Sequence, residues 1–80
     1  MSEHHNLNTR RLLCPLPVIR TQDMIKRLNV GDTLTVTCTD PGALNDIPTW
    51  CRINHHKILK SETIKQEIYI TIEVCADAPI

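Results

Sequence analysis

Two segments of this chain alternate strictly between apolar and polar residues, and they leave it little choice of architecture. In Thr33-Leu34-Thr35-Val36-Thr37-Cys38-Thr39, residues Leu34, Val36 and Cys38 fall on one side and the threonines on the other. Near the carboxyl end, Ile68, Ile70, Ile72 and Val74 alternate with Tyr69, Thr71 and Glu73. A period of two, rich in β-branched residues, marks a strand with one buried face. A weaker strand is expected over His56–Thr63, joined to the last by a polar turn at Lys65-Gln66, and a short first strand around Leu7–Leu12. Between the strands the period changes. From about Pro15 to Leu28, residues Val18, Thr21, Met24, Ile25 and Leu28 share one helical face, with Arg20, Asp23, Lys26 and Arg27 opposite. A second helix is expected from Asp40-Pro41, with Asp40 as N-cap, Pro41 at the first helical position and Leu44, Ile47 and Cys51 facing inward. Pro48 should kink this helix or mark a restart after Asp46. The order is β-α-β-α-β-β. It predicts an α/β two-layer sandwich, in which both helices cover one face of a four-stranded mixed sheet.

Size and charge narrow the function. Eighty residues make a single domain, 1–80, with a core over about 7–74. Such a chain buries only about 60–65% of its unfolded surface, so the core is thin and a deep substrate cavity is not expected. Nine basic residues balance nine acidic ones, and the aromatics are one Trp and one Tyr. Direct nucleic-acid binding is therefore not expected, because neither a basic footprint nor a set of stacking rings is present. No apolar run reaches membrane-spanning length, and the opening Met-Ser-Glu-His-His-Asn has no secretory-signal pattern. The expected setting is the cytoplasm, with no membrane and with reduced thiols. His4 and His5 are assigned to a flexible terminus.

The four cysteines divide by position. None forms Cys-x-x-Cys. Cys38 and Cys51 sit at inward positions of a strand and a helix, as small core residues, and Cys75 follows the last strand. Cys14 stands at the junction of the first strand and first helix, in Leu12-Leu13-Cys14-Pro15-Leu16-Pro17-Val18. Pro15 and Pro17 belong to the first helical turn, where a missing N–H costs little, and they fix where the helix starts. A thiolate there faces the positive end of the helix dipole and is expected to accept the free N–H of Leu16. Both effects favour the anion, and Arg10, Arg11 and Arg20, close in sequence, are expected to add positive potential. Leu16 and Ile19 fall outside the buried face, beside Cys14, as an apolar docking rim.

Cys14-Pro15-Leu16-Pro17, followed in order by Gly31-Asp32, Asp40-Pro41, Asp46-Ile47 and Trp50, resembles the TusA-type, SirA-like family of small sulfur carriers over about residues 7–74. The resemblance implies the same sandwich. It also implies a sulfur-relay protein that carries a persulfide on Cys14, with no cofactor beyond that transient covalent state. Donors would be a cysteine desulfurase or a rhodanese-like protein. A downstream acceptor protein would serve tRNA thiolation, cofactor biosynthesis or sulfur oxidation. The chain would act as a sulfurtransferase-type carrier rather than a stand-alone enzyme, monomeric when free. Candidate site residues are Cys14 for the sulfur, Pro15, Leu16 and Pro17 for the helix start, and Arg11, Leu16, Ile19 and Arg20 for docking. No metal is expected.

Two departures from the family pattern stand out. Arg11 replaces a frequent Gly and is expected to use an ordinary backbone conformation. His55-His56 replaces Gly-His at the end of the second helix. From the residues alone, a non-catalytic protein-interaction module and a small metal-binding module built on Cys51, His55 and His56 also stay open. His56 is the best candidate for a base.

Overall fold

The computed structural model describes residues 3–13 and 16–75. Its elements run β1 (His4–Thr9), α1 (Leu16–Ile25), β2 (Thr33–Cys38), α2 (Ala43–Ile53), β3 (Lys57–Ile64) and β4 (Glu67–Glu73). The four strands form one sheet in the order β1-β2-β4-β3. β1 pairs with β2 in parallel, and the two other pairings are antiparallel. The expected order and mixed sheet are thus found.

Sidedness explains the layers. Leu34, Val36 and Cys38 of β2 and Ile70 and Ile72 of β4 are wholly buried, together with Ile47 and Cys51 of α2. Thr21 and Ile25 of α1 close the same core. The threonines of β2 face the other way. There the face stays polar: the Thr35 hydroxyl hydrogen-bonds Thr71 at 3.2 Å.

The amino-terminal histidines are not in a loose terminus. Both lie in β1, two to three residues earlier than the strand expected around Leu7–Leu12. The His4 ring bridges the Thr33 and Thr35 hydroxyls at 2.6 and 3.1 Å. The inward positions of β1 are His5, Leu7 and Thr9, which carry no apolar alternation. Pairing with β2, not residue type, makes this segment a strand.

The helices also differ in their ends. α1 stops at Ile25, and its exit continues through tighter i→i+3 bonds, Arg27 to Met24 and Leu28 to Ile25. α2 begins at Ala43 rather than at Pro41, and its N-cap is Gly42, not Asp40. Asp40 acts two residues earlier: its carboxylate accepts the Gly42 N–H at 3.0 Å, forming the turn that delivers the chain to the helix. Ile47 and Cys51 face inward as expected, but Ala43 (1% exposed) rather than Leu44 (39% exposed) completes the stripe, because residues four apart share one helical face. Pro48 does not force a restart, and one helix runs from Ala43 to Ile53. It ends in a Schellman motif: His56 N–H reaches the Cys51 carbonyl at 2.8 Å and His55 N–H the Arg52 carbonyl at 3.3 Å. His55 takes the left-handed conformation, with φ 67°, that a glycine would supply there. The β3–β4 hairpin closes through Lys65 and Gln66, both at positive φ as a type I′ turn requires.

Asp32 ties one end of the sandwich together. It is 3% exposed. Its carboxylate accepts the Asn29 and Glu3 amides at 3.0 and 2.9 Å, and its backbone joins β4, with Val74 N–H donating to its carbonyl at 2.8 Å. These amide donors, Asn29 first and Glu3 next, hold its pKa below the usual carboxylate range, and His5 adds to the effect. A carboxylate with a depressed folded pKa contributes stability that is complete above the ordinary Asp range and is lost as pH falls through the folded value. Stability measured by urea unfolding should therefore decline on acidification, and Asp32→Asn should flatten that decline. In the core, Ile47→Ala should lower unfolding free energy by about 2–5 kcal/mol.

Candidate functional site at the start of the first helix

Cys14 and Pro15 lie outside the described residues; the residues on either side of them define the neighbourhood. Parallel pairing sets Thr9 opposite Cys38, and Cys38 in turn opposite Ile68. The chain leaves β1 at this end of the sheet and enters α1.

Each residue of the exit is held. Leu12 N–H donates to the Thr9 carbonyl at 3.3 Å. Arg10 reaches across β2 to Glu67 of β4 through two bonds, Nε to Oε2 at 2.8 Å and a terminal N–H to Oε1 at 3.0 Å. The Tyr69 hydroxyl donates to the same carboxylate at 2.8 Å. The Arg10 bond holds the Glu67 carboxyl below its ordinary range and pushes the Arg10 guanidinium up. Much of Arg10's charge is therefore matched locally, contrary to the expectation that it adds positive potential. Arg11 and Arg20 are exposed and have no ion-pair partner among the described residues.

Arg11 corrects a second expectation. Its backbone is not ordinary but left-handed, with φ 67°. The chain keeps the geometry a glycine would provide and places an arginine in it. The Arg11 N–H donates to the Thr39 hydroxyl at 3.0 Å, which secures the turn from the far end of β2. Leu16 brings a third correction. Its N–H donates to the Leu13 carbonyl at 2.8 Å, so it is not free for a thiolate. The helix dipole remains as the local source of anion stabilisation.

The supporting residues separate by burial. Pro17 is fully buried and its carbonyl accepts the Thr21 hydroxyl at 2.8 Å, which anchors the first turn in the core. Leu16 and Ile19 are each 44% exposed and Leu13 is 72% exposed. Leu13, Leu16 and Ile19 are thus exposed apolar side chains at and near the start of α1, and Arg11 and Arg20 are exposed cations before and after it in the chain. Thr39 and Glu67 support this end and were not singled out from the sequence. Thr39 ends an alternating strand and Glu67 opens another, and no local pattern marks either.

The other thiols take no part here. Cys38 and Cys51 are fully buried. Burial pushes the Cys51 thiol up to about 12 and raises Cys38 as well. Cys75 is half-buried, and its N–H donates to His56 Nδ1 at 3.2 Å. His56 stacks on Trp50, ring centroids 5.6 Å apart. Both lie at the opposite end of the sheet, beyond the pairing of Lys57 with Glu73. Five residues of strand separate the two ends, roughly 17 Å. His56 is thus a packing residue, too distant to serve as a base at the start of α1. With Cys51 in the core, Cys51, His55 and His56 do not converge. Among the described residues no three His, Cys, Asp or Glu side chains are placed to hold a metal ion.

The described residues at the start of α1 thus leave apolar and basic side chains exposed on a thin two-layer sandwich. The family model for Sulfurtransferase TusA matches residues 5–74. The chain is 36% identical over 67 residues to the sulfur carrier protein TusA of Buchnera aphidicola subsp. Baizongia pistaciae, a match that covers 84% of each. Its fold is similar to the crystal structure of a SirA-like protein from Desulfitobacterium hafniense, with a TM-score of 0.80, 18% identity, and coverage of 90% of this chain and 99% of that one. The chain belongs to the TusA family of small sulfur carriers.

The left-handed Arg11 gives a direct test of the site's backbone. Arg11→Gly should stabilise the fold by about 1 kcal/mol, because glycine adopts this conformation without the Cβ clash. Urea denaturation midpoints of the two proteins measure it; an unchanged or lower midpoint would contradict the strain.

Proposed function

We propose that the sulfur is carried as a persulfide on Cys14. The observation that carries this reading is Cys14-Pro15-Leu16-Pro17 at the strand–helix junction of a chain that belongs to the TusA family. The chemistry needs one accessible thiolate. The Cys14 thiolate attacks the outer sulfur of a donor persulfide. The donor's S–S bond breaks, its thiolate leaves, and Cys14 holds the new S–SH group. Delivery is the same exchange with an acceptor thiolate as attacking group. No electrons are gained or lost over the sequence, and no cofactor is needed.

A second thiol beside the persulfide would attack it, form a disulfide and release sulfide. The burial of Cys38 and Cys51 supports a carrier, because neither can compete. The donor is a cysteine desulfurase or a rhodanese-like protein, and the acceptor is a further sulfur-relay protein. Arg11, Leu16, Ile19 and Arg20 supply the docking rim, and Leu13 extends it. A reducing compartment, the cytoplasm, suits a thiol that must stay unpaired. Among the described residues no helix is long and apolar enough to cross a membrane.

Incubation with a cysteine desulfurase and cysteine, followed by intact mass measurement, tests the assignment. A reducible gain of about 32 Da is expected in the wild type and not in Cys14→Ser. Full loading of Cys14→Ser would move the sulfur elsewhere. Cys51→Ser should still load, while losing about 1–3 kcal/mol of stability because its hydroxyl is left in an apolar core.

A further inference from the structure

We propose that the groove between α2 and the outer edge of β3 docks an extended, carboxylate-rich segment of a partner protein. The groove measures about 680 Å³, and Leu44, Pro48, Arg52, His55, Lys57 and Ile58 line it. Charge is the first argument. Every ionisable side chain in the lining is basic or a histidine, in a chain whose overall charge is zero. Arg10 and Lys60 have acidic partners, whereas Arg52 and Lys57 have none within ion-pair distance among the described residues. Glu73 is the register partner of Lys57 across the sheet but makes no ion pair with it. Two exposed cations without matching carboxylates favour an anionic occupant, and in a groove the attraction is less screened than on a flat surface.

The backbone decides the shape of that occupant. β3 pairs with β4 alone, so its other edge presents unpaired N–H and C=O groups. An extended segment can pair along such an edge and place alternate side chains toward the groove. The bulge between Ile58 and Lys60 interrupts the ladder, and Leu59 beside it is 48% exposed. On the helical wall, Pro48 has no N–H to offer the Leu44 carbonyl four residues back. Leu44 also lines the apolar notch formed with Thr39, Pro41 and Gln66. The groove therefore leads toward the end of the sheet where α1 starts, and a segment seated in it is guided to that end. The inference does not depend on the persulfide assignment.

Full-length Cys14→Ser protein, which excludes mixed disulfides, is titrated into short fluorescein-labelled peptides and followed by anisotropy. One peptide alternates Val and Glu, and a second alternates Val and Lys. A single-stranded oligonucleotide of similar length is the third probe. The Val-Glu peptide should bind, weaken with added salt, and lose about tenfold in affinity with Arg52→Glu/Lys57→Glu. Circular dichroism confirms that the double variant is folded. Amide shifts of the bound protein should cluster on Lys57–Ile64 and Arg52. Equal binding of the Val-Lys peptide, stronger binding of the oligonucleotide, no loss in the double variant, or shifts confined to the start of α1 would each overturn the proposal.

Discussion

The parallel pairing of β1 with β2 is the constraint on which the rest depends. Parallel neighbours cannot be joined by a tight turn, so the chain must leave one end of the sheet and return to the other through a crossover. α1 is that crossover. Its start must therefore lie beyond the end of β1, beside the exit of β2. Arg11 meets Thr39 and Arg10 meets Glu67 at one rim because the pairing register sets Thr9, Cys38 and Ile68 side by side. The return leg is fixed by Asp32, whose carboxylate gathers the Asn29 and Glu3 amides at the other end.

Within that frame, small polar contacts take the place of a large core. The sheet buries one face only, and its apolar residues come mainly from β2, β4 and α2. β1 contributes little apolar area. Its place depends on the ladder, on the buried Thr9 hydroxyl donating to the Thr37 carbonyl at 2.7 Å, and on the His4 bridge on the open face. The same economy sorts the cysteines. Sulfur serves as filler where the helix and sheet need small side chains, and burial makes those thiols poor nucleophiles.

Much of this was legible in the sequence because period is a local signal. β2, β4 and the inward face of α1 follow from residue alternation and spacing, and so do the core positions of Cys38 and Cys51. β1 was displaced by several residues because its inward positions, His5, Leu7 and Thr9, carry no such period. The true start of α2 was hidden because Asp40 has two uses, N-cap or turn former, and spacing does not separate them. At the site, Cys14 could be picked out by its prolines. The contacts that hold the exit of β1 could not. Thr39 lies 28 residues from Arg11 and Glu67 lies 57 from Arg10, and only the sheet brings them together. The left-handed turn at Arg11 was equally hidden, since arginine gives no hint of it.

The separation of the remaining thiols has a kinetic consequence. Cys38 and Cys51 are sealed, and Cys75 sits at the far end of the sheet from Leu13 and Leu16. If Cys14 carries the sulfur as proposed, none of the other thiols among the described residues is both exposed and at that end of the sheet. Discharge by thiol exchange would then need an encounter with a thiol of another molecule. Spontaneous discharge among copies of the protein becomes second order, so diluting it should lengthen the lifetime of the loaded form.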